Sequence, residues 1–269
     1  MPSTHAQAPP PRLELPLTRY AWFFDFDGTL AELQARPDRV SLPAARKGLL
    51  RRLQAASGGA VAILTGRSLE DLQPLIAPLR LPCAGMHGLQ LHIADRTRMA
   101  ATARLPYTVL ARLQDLAECH PGVLLENKGE CAAALHYRQA PHHASALEAA
   151  MQALLPTCNG YELLHGKCVL ELRPASASKG TALRLLMRNT PFKDRIPLCV
   201  GDDRTDEDGF AAAQALGGIG IKIGTGATQG QWRLADPSAL QHWLHQQLEA
   251  ATHAAAPVSA TAAPPASTI

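Results

Sequence analysis

Short apolar runs alternate along this chain with stretches whose apolar residues recur every three or four positions. Runs of the first kind read as buried strands, and the second spacing reads as amphipathic helices. Tyr20–Phe24 is a strand by this pattern. Ser41 then caps a helix with Leu42, Ala45, Leu49 and Leu53 on one face. Ala60–Leu64 is the next strand. Ser68 caps a following helix that carries Leu69, Leu72 and Ile76, and Pro74 kinks or shortens it. Late in the chain, Ser178 opens a helix through Met187 and Pro197–Val200 is a strand. Ala211–Leu216 is helical, Gly220–Ile223 is a short strand, and Pro237 begins a final helix with Leu240, Trp243, Leu244 and Leu248. This alternation predicts an α/β fold, a parallel sheet with helices on both faces.

The middle follows another rhythm. Pro106–Cys119 reads as a helix with Leu110, Leu113 and Ala117 as its stripe. Val123–Lys128 and Cys131–Arg138 are strands joined by a tight turn at Lys128-Gly129-Glu130. Pro141–Leu155 is a second helix, and Tyr161–His165 with Lys167–Arg173 forms a second hairpin through Gly166. The order αββαββ predicts an inserted α+β cap domain over residues 89–173. The parallel-sheet core then comprises 17–88 and 174–249. Residues 1–16, with five prolines, and 250–269, mostly Ala, Pro, Ser and Thr, read as disordered tails.

Composition narrows the function classes. The 269 residues are 46% hydrophobic, enough for a sizeable core, and only 18% charged with a net charge of +3. A nucleic-acid binder would concentrate Lys and Arg, so no nucleic-acid partner is expected. The six cysteines are scattered, without C-x-x-C or metal-ligand spacing, and read as reduced buried thiols. No run has the length of a transmembrane helix and no signal core opens the chain. A cytoplasmic protein with no membrane association is expected. No apolar surface stripe stands out as an interface, so a monomer is the default.

Four segments carry candidate chemistry. Asp25 and Asp27 lie two apart where the first strand opens into a loop, so both point the same way. Gly28 turns the chain. Two carboxylates beside a free carbonyl suit a hard cation such as Mg²⁺, and Asp25 is then able to act as a nucleophile. Thr65 follows the second strand and offers a hydroxyl and an N–H to a phosphoryl oxygen. Lys179 sits at a helix N-terminus, a position that favours anions. Gly201-Asp202-Asp203-Arg204-Thr205-Asp206 follows the strand Pro197–Val200, an acidic density that a divalent cation would offset. Asp202 is nearest the strand end and is the expected ligand. Asp206 lies one turn on and is expected to orient a ligand water or Lys179.

The order and positions of these four segments resemble the haloacid dehalogenase-like (HAD) hydrolase superfamily. The resemblance implies a Rossmann-like HAD core in which Asp25 attacks phosphorus and becomes aspartyl-phosphate. Asp27 protonates the leaving alcohol and then activates water, its side chain free for that work. Thr65 and Lys179 hold phosphoryl oxygens. Mg²⁺ is bound by Asp25, the Asp27 carbonyl and Asp202.

Strand alternation in the insert gathers Glu126, Lys128, His136, Arg138, Lys167 and Glu171 on one face. Antiparallel sheets often solvate such a face. The functional alternative is a lid whose polar face closes over a hydroxyl-rich ligand. Here the chain resembles the trehalose-6-phosphate phosphatase family over about residues 20–250. The matching segments are Leu64–Arg67, Gly85–Gly88, Glu126–Gly129, His136–Arg138, Gly166–Pro174 and Gly201–Asp208. The resemblance implies Mg²⁺-dependent hydrolysis of trehalose 6-phosphate in trehalose biosynthesis. It puts disaccharide contacts on Glu126, Lys128, Arg138, Lys167 and Glu171, with Arg67 and His87 at the core mouth as further substrate-binding candidates. The core motifs alone leave open another sugar phosphatase, acting on sucrose phosphate or a phosphohexose, and a non-catalytic sugar-phosphate sensor.

Overall fold

The computed structural model describes residues 8–34, 36–93, 96–99, 104–129 and 131–255. The first part of the chain forms β1 (Tyr20–Phe24), α1 (Ala44–Ala56), β2 (Val61–Leu64), α2 (Leu69–Ile76), β3 (Cys83–Gly85), β4 (Gln90–Ile93) and β5 (Arg96–Met99). The middle forms α3 (Tyr107–Cys119), β6 (Leu124–Asn127), β7 (Ala133–His136), α4 (Ala144–Leu154), β8 (Tyr161–Gly166) and β9 (Val169–Pro174). The last part forms α5 (Lys179–Met187), β10 (Ile196–Gly201), α6 (Asp206–Ala215), β11 (Ile219–Ile223), β12 (Trp232–Leu234) and α7 (Pro237–Ala255).

Two sheets result. The larger has the order β12-β11-β10-β1-β2-β3-β4-β5, with every pairing from β12 to β3 parallel. Successive residues of β1 point to opposite faces, which splits the core in two. Trp22 and Phe24 pack with Leu49, Leu53 and Leu244 of α1 and α7, whereas Ala21 and Phe23 pack with Leu183, Leu186 and Phe210 of α5 and α6. Helices on both faces are thus what the fully buried strands require. The smaller sheet, β6-β7-β9-β8, is wholly antiparallel and carries its own core, in which Leu135, Leu170 and Leu172 meet Leu113, Leu147 and Met151 of α3 and α4.

Several expectations need correction. Strands β4 and β5 continue the large sheet in antiparallel fashion, so the separate four-stranded unit begins beyond residue 99 rather than near 89. Pairing β4 to β3 covers an edge that β3 would otherwise expose. Helix α1 starts at Ala44, not at Ser41, because Leu42 precedes Pro43 and a residue before proline is disfavoured in the helical region. Residues 8–16 were expected to be disordered, yet they are tied to the core. Ala8 O accepts from Arg233 N (3.0 Å), Pro11 O from the Trp243 indole (3.3 Å), and Leu13 N donates to Gln247 Oε1 (2.9 Å). Likewise α7 runs through 250–255. The remaining expected tails, 1–7 and 256–269, and Glu130 of the expected turn lie outside the described residues.

Candidate active site

Three strand ends converge where the order of the large sheet reverses, between β10, β1 and β2. Ligand crevices form at such switch points. Asp25 follows β1, Thr65 follows β2 and Asp202 follows β10. Ser68 and Ser178 cap α2 and α5, accepting from Asp71 N and Thr181 N as their positions in sequence predict. The second cap sets Lys179 at the first residue of α5. Its buried ammonium donates to Asp25 Oδ1 (2.6 Å) and to Asp206 Oδ1 (2.7 Å). Asp206 Oδ2 accepts in turn from Asp203 N (3.0 Å). Burial pulls the Lys179 ammonium down, but Asp206 and Asp25 outweigh it and hold it above its ordinary range.

One oxygen from each of Asp25, Asp202 and Asp206 lies within 4.8 Å of the others, a set able to hold a metal ion. Burial raises Asp25 well above the usual carboxylate range, against the pull of Lys179. Burial, with the charge of Asp206, pushes Asp202 up to about 6. One ammonium among three carboxylates leaves two negative charges, which a divalent cation matches. Gly28 makes room for this arrangement. Its φ is +86°, and a Cβ there would stand 2.2 Å from Asp202 Oδ2. On the other side, the buried Lys222 of β11 donates to the Asp202 carbonyl.

At the rim, two expectations change. The Thr65 N–H is spent on Ala84 O (2.8 Å) in the β2–β3 ladder, so only the hydroxyl remains for an incoming oxygen. It already accepts from Arg67 N (3.1 Å) and keeps its own proton to donate. The Asp27 carboxylate is not free. Arg67 Nε reaches Asp27 Oδ2 and its Nη2 reaches Asp27 Oδ1, both at 2.6 Å.

The small sheet forms the opposite wall. Glu126, Ala134, Glu171 and Leu164 lie side by side across its four strands. The small Ala134 leaves a gap between the two glutamates. Lys128 spans it, 2.7 Å from Glu171 Oε2 and 3.9 Å from Glu126 Oε2. His136 Nε2 meets Glu126 Oε2 at 2.7 Å. Burial opposes ionisation of Glu171, but the Lys128 ammonium prevails and holds it below the usual carboxylate range. His87 belongs to the core turn Met86–Gly88. Met86 and His87 are both left-handed, at φ 49° and 54°, a strain of about 1–3 kcal/mol each that is typical of functional sites. Burial lowers His87 below its ordinary value, so its 3.6 Å approach to Glu171 is not an ion pair at neutral pH. A cavity of about 580 Å³ joins the two walls. It is lined by Asp25, Asp27, Thr65, Arg67, His87 and Lys179 from the core and by Glu126, Lys128, Arg138, Lys167 and Glu171 from the small sheet. Asp202 and Asp206 lie beside Asp25, outside that lining.

A family model described as trehalose-phosphatase matches residues 23–242. The chain belongs to the trehalose-phosphatase family. Trehalose-6-phosphate phosphatase of Escherichia coli (strain K12) is 43% identical over 236 residues, which span 84% of this chain and 85% of that relative. The C-terminal domain of a C. albicans trehalose-6-phosphate phosphatase superposes with a TM-score of 0.76 at 20% identity, covering 87% of this chain and 93% of the other. A haloacid dehalogenase-like hydrolase from Bacteroides thetaiotaomicron gives 0.64 at 14% identity, covering 85% and 98%. These two likenesses establish the HAD fold.

Some cavity residues carry no signal in the sequence. Leu33, Gln34 and Val40 enter from the loop after β1, where no periodicity marks them. His136, which strand alternation places on the polar face with Glu126, also lines the cavity. Outside the cavity, the lysine inside the apolar run of β11 is a signal that the sequence carried and that now stands beneath Asp202. No helix among the described residues is long and apolar enough to cross a membrane.

Proposed function

We propose that this chain hydrolyses trehalose 6-phosphate to trehalose and phosphate, the last step of a trehalose biosynthesis route. The observation that carries the reading is the shared cavity. A carboxylate–lysine floor faces a wall of Glu126, Lys128 and Glu171 across one space of about 580 Å³. The floor suits a phosphoryl group, and the wall suits sugar hydroxyls. Glutamates accept from hydroxyls, while Lys128, Arg138 and Lys167 donate to them.

Mg²⁺ is the proposed cofactor, held by Asp25, Asp202 and the Asp27 carbonyl. It supplies Lewis-acid neutralisation of phosphoryl charge. Asp206 accepts from Lys179 and from Asp203 N, and in this reading it acts by orienting Lys179 and a ligand water. Lys179 and the Thr65 hydroxyl hold phosphoryl oxygens in place. An Asp25 oxygen attacks phosphorus, the phosphorus–sugar oxygen bond breaks, and Asp27 gives its proton to the departing alkoxide. Asp27 then takes a proton from water as that water attacks the aspartyl-phosphate, releasing phosphate and restoring Asp25. The small sheet with α3 and α4 serves as the lid that excludes bulk water during this sequence.

Phosphate release from trehalose 6-phosphate, sucrose phosphate and glucose 6-phosphate, with Mg²⁺ and with chelator, tests the reading. Metal-dependent turnover strongest on trehalose 6-phosphate is expected. Preference for another phosphosugar moves the assignment within the superfamily, and no release from any of them leaves only a binding role.

A further inference from the structure

We propose that Arg67 is a positioning residue for Asp27 rather than a ligand of the sugar. The inference rests on the proposed chemistry of Asp27 and sharpens it. The guanidinium forks onto the carboxylate, with Nε on one oxygen and Nη2 on the other, both at 2.6 Å. Such a planar two-point contact fixes the tilt of a carboxylate as well as its place. Arg67 is itself built in. Its N–H donates to Thr65 Oγ1 (3.1 Å), and its carbonyl accepts from Met86 N (2.8 Å). Its guanidinium carbon lies 5.7 Å from the centre of the Phe26 ring, within cation–π range. Phe26 is fully buried and lies between the two motif aspartates in sequence, so the motif that carries the acid also supplies the platform for the residue that aims it.

The arrangement accounts for the spacing of two distant segments. Asp27 hangs from the end of β1 and Arg67 from the turn after β2, forty residues apart in sequence but on adjacent parallel strands. A fork closing both oxygens leaves Asp27 its outward lone pairs, which face the cavity that both residues line. In the transfer step, the proton passes from one of those outward sites to the sugar oxygen as the ester bond breaks and the Asp25–phosphorus bond forms. Misplacing a reacting group by about 1 Å costs on the order of a hundredfold.

A double-mutant cycle on Arg67→Gln and Asp27→Asn, measured with trehalose 6-phosphate and with phenyl phosphate, tests this. The proposal expects Arg67→Gln to lower kcat by roughly 10–100-fold with KM nearly unchanged on both substrates. In the Asp27→Asn background the same change should cost less than about threefold, because residues acting as a unit are not additive. Arg67→Lys keeps the charge without the fork and should remain impaired. Three results would each overturn the proposal: a raised KM with kcat retained, full additivity, or wild-type activity in Arg67→Lys. Wild-type turnover of phenyl phosphate without turnover of any phosphosugar would defeat the substrate assignment alone, and the cycle would still be read. A wild-type protein inert on both substrates would remove the transfer chemistry and the role of Arg67 with it.

Discussion

Glu171→Ala is expected to separate sugar recognition from phosphoryl chemistry. Glu171 and Lys128 form a buried pair, with side chains 4% and 9% exposed and a 2.7 Å contact. Removing one partner of such a pair costs about 3–5 kcal/mol, because the other charge is left buried. Here Glu126, 3.9 Å from Lys128 and half-exposed, takes up part of the charge, which favours the lower end. At about 2–4 °C per kcal/mol for a chain of this size, a loss near 3 kcal/mol lowers Tm by roughly 6–12 °C. Replacing Lys128 as well, in Lys128→Met/Glu171→Ala, should recover much of that loss, since no charge is then stranded. The kinetic effect differs by substrate. A hydrogen bond to a charged group is worth about 1.5–3 kcal/mol, or roughly 10–150-fold in kcat/KM for trehalose 6-phosphate. Glu171 lies on the small-sheet wall, away from the carboxylate floor, so p-nitrophenyl phosphate should lose less than about threefold. Thermal melts and parallel phosphate-release assays well below Tm measure both effects. Equal losses on the two substrates, or an unchanged Tm, would refute the reasoning.

Gly28→Ala should abolish activity and weaken divalent-ion binding, because the left-handed turn disfavours a side chain and the new Cβ runs into Asp202; tight Mg²⁺ binding by calorimetry in that variant would count against the Gly28 turn as the shaper of the metal site. Acidification should destabilise the fold through His87. Burial holds its folded pKa below the ordinary histidine value, so the unfolded chain takes up a proton that the native one does not. That contribution is fully present above about pH 6.5 and drains away as pH falls through the depressed folded value. Melts at pH 7.5 and 5.5 should show a larger drop for wild type than for His87→Gln, and equal drops would refute it.

The parts of this molecule legible in sequence are those set by local pattern. Five consecutive buried residues in β1, the caps at Ser68 and Ser178, and the alternation along β9 each follow from short-range geometry. The parts that were not legible depend on partners far away in sequence. Strand β5 reads Arg-Thr-Arg-Met and has no apolar alternation to announce it; it is a strand because β4 offers an edge. Residues 8–16 carry prolines that suggest disorder, but polar groups of β12 and α7 capture their backbone. Asp27 was expected to have a free carboxylate because the resemblance assigns only its carbonyl to the ion, and Arg67 arrives only through the pairing of β1 with β2. The place of Asp202 in the carboxylate cluster was readable from its position at a strand end, whereas its support by Lys222 required the register of β10 on β11.

The most direct check mixes the protein with trehalose 6-phosphate and Mg²⁺, quenches in acid, and maps phosphorylated peptides by mass spectrometry beside a phosphate-release assay. A phosphoryl group on Asp25, absent from Asp25→Asn along with all turnover while that variant melts cooperatively, is the outcome expected. Phosphate release at the normal rate by Asp25→Asn would show that the buried carboxylate beside Lys179 is not the nucleophile.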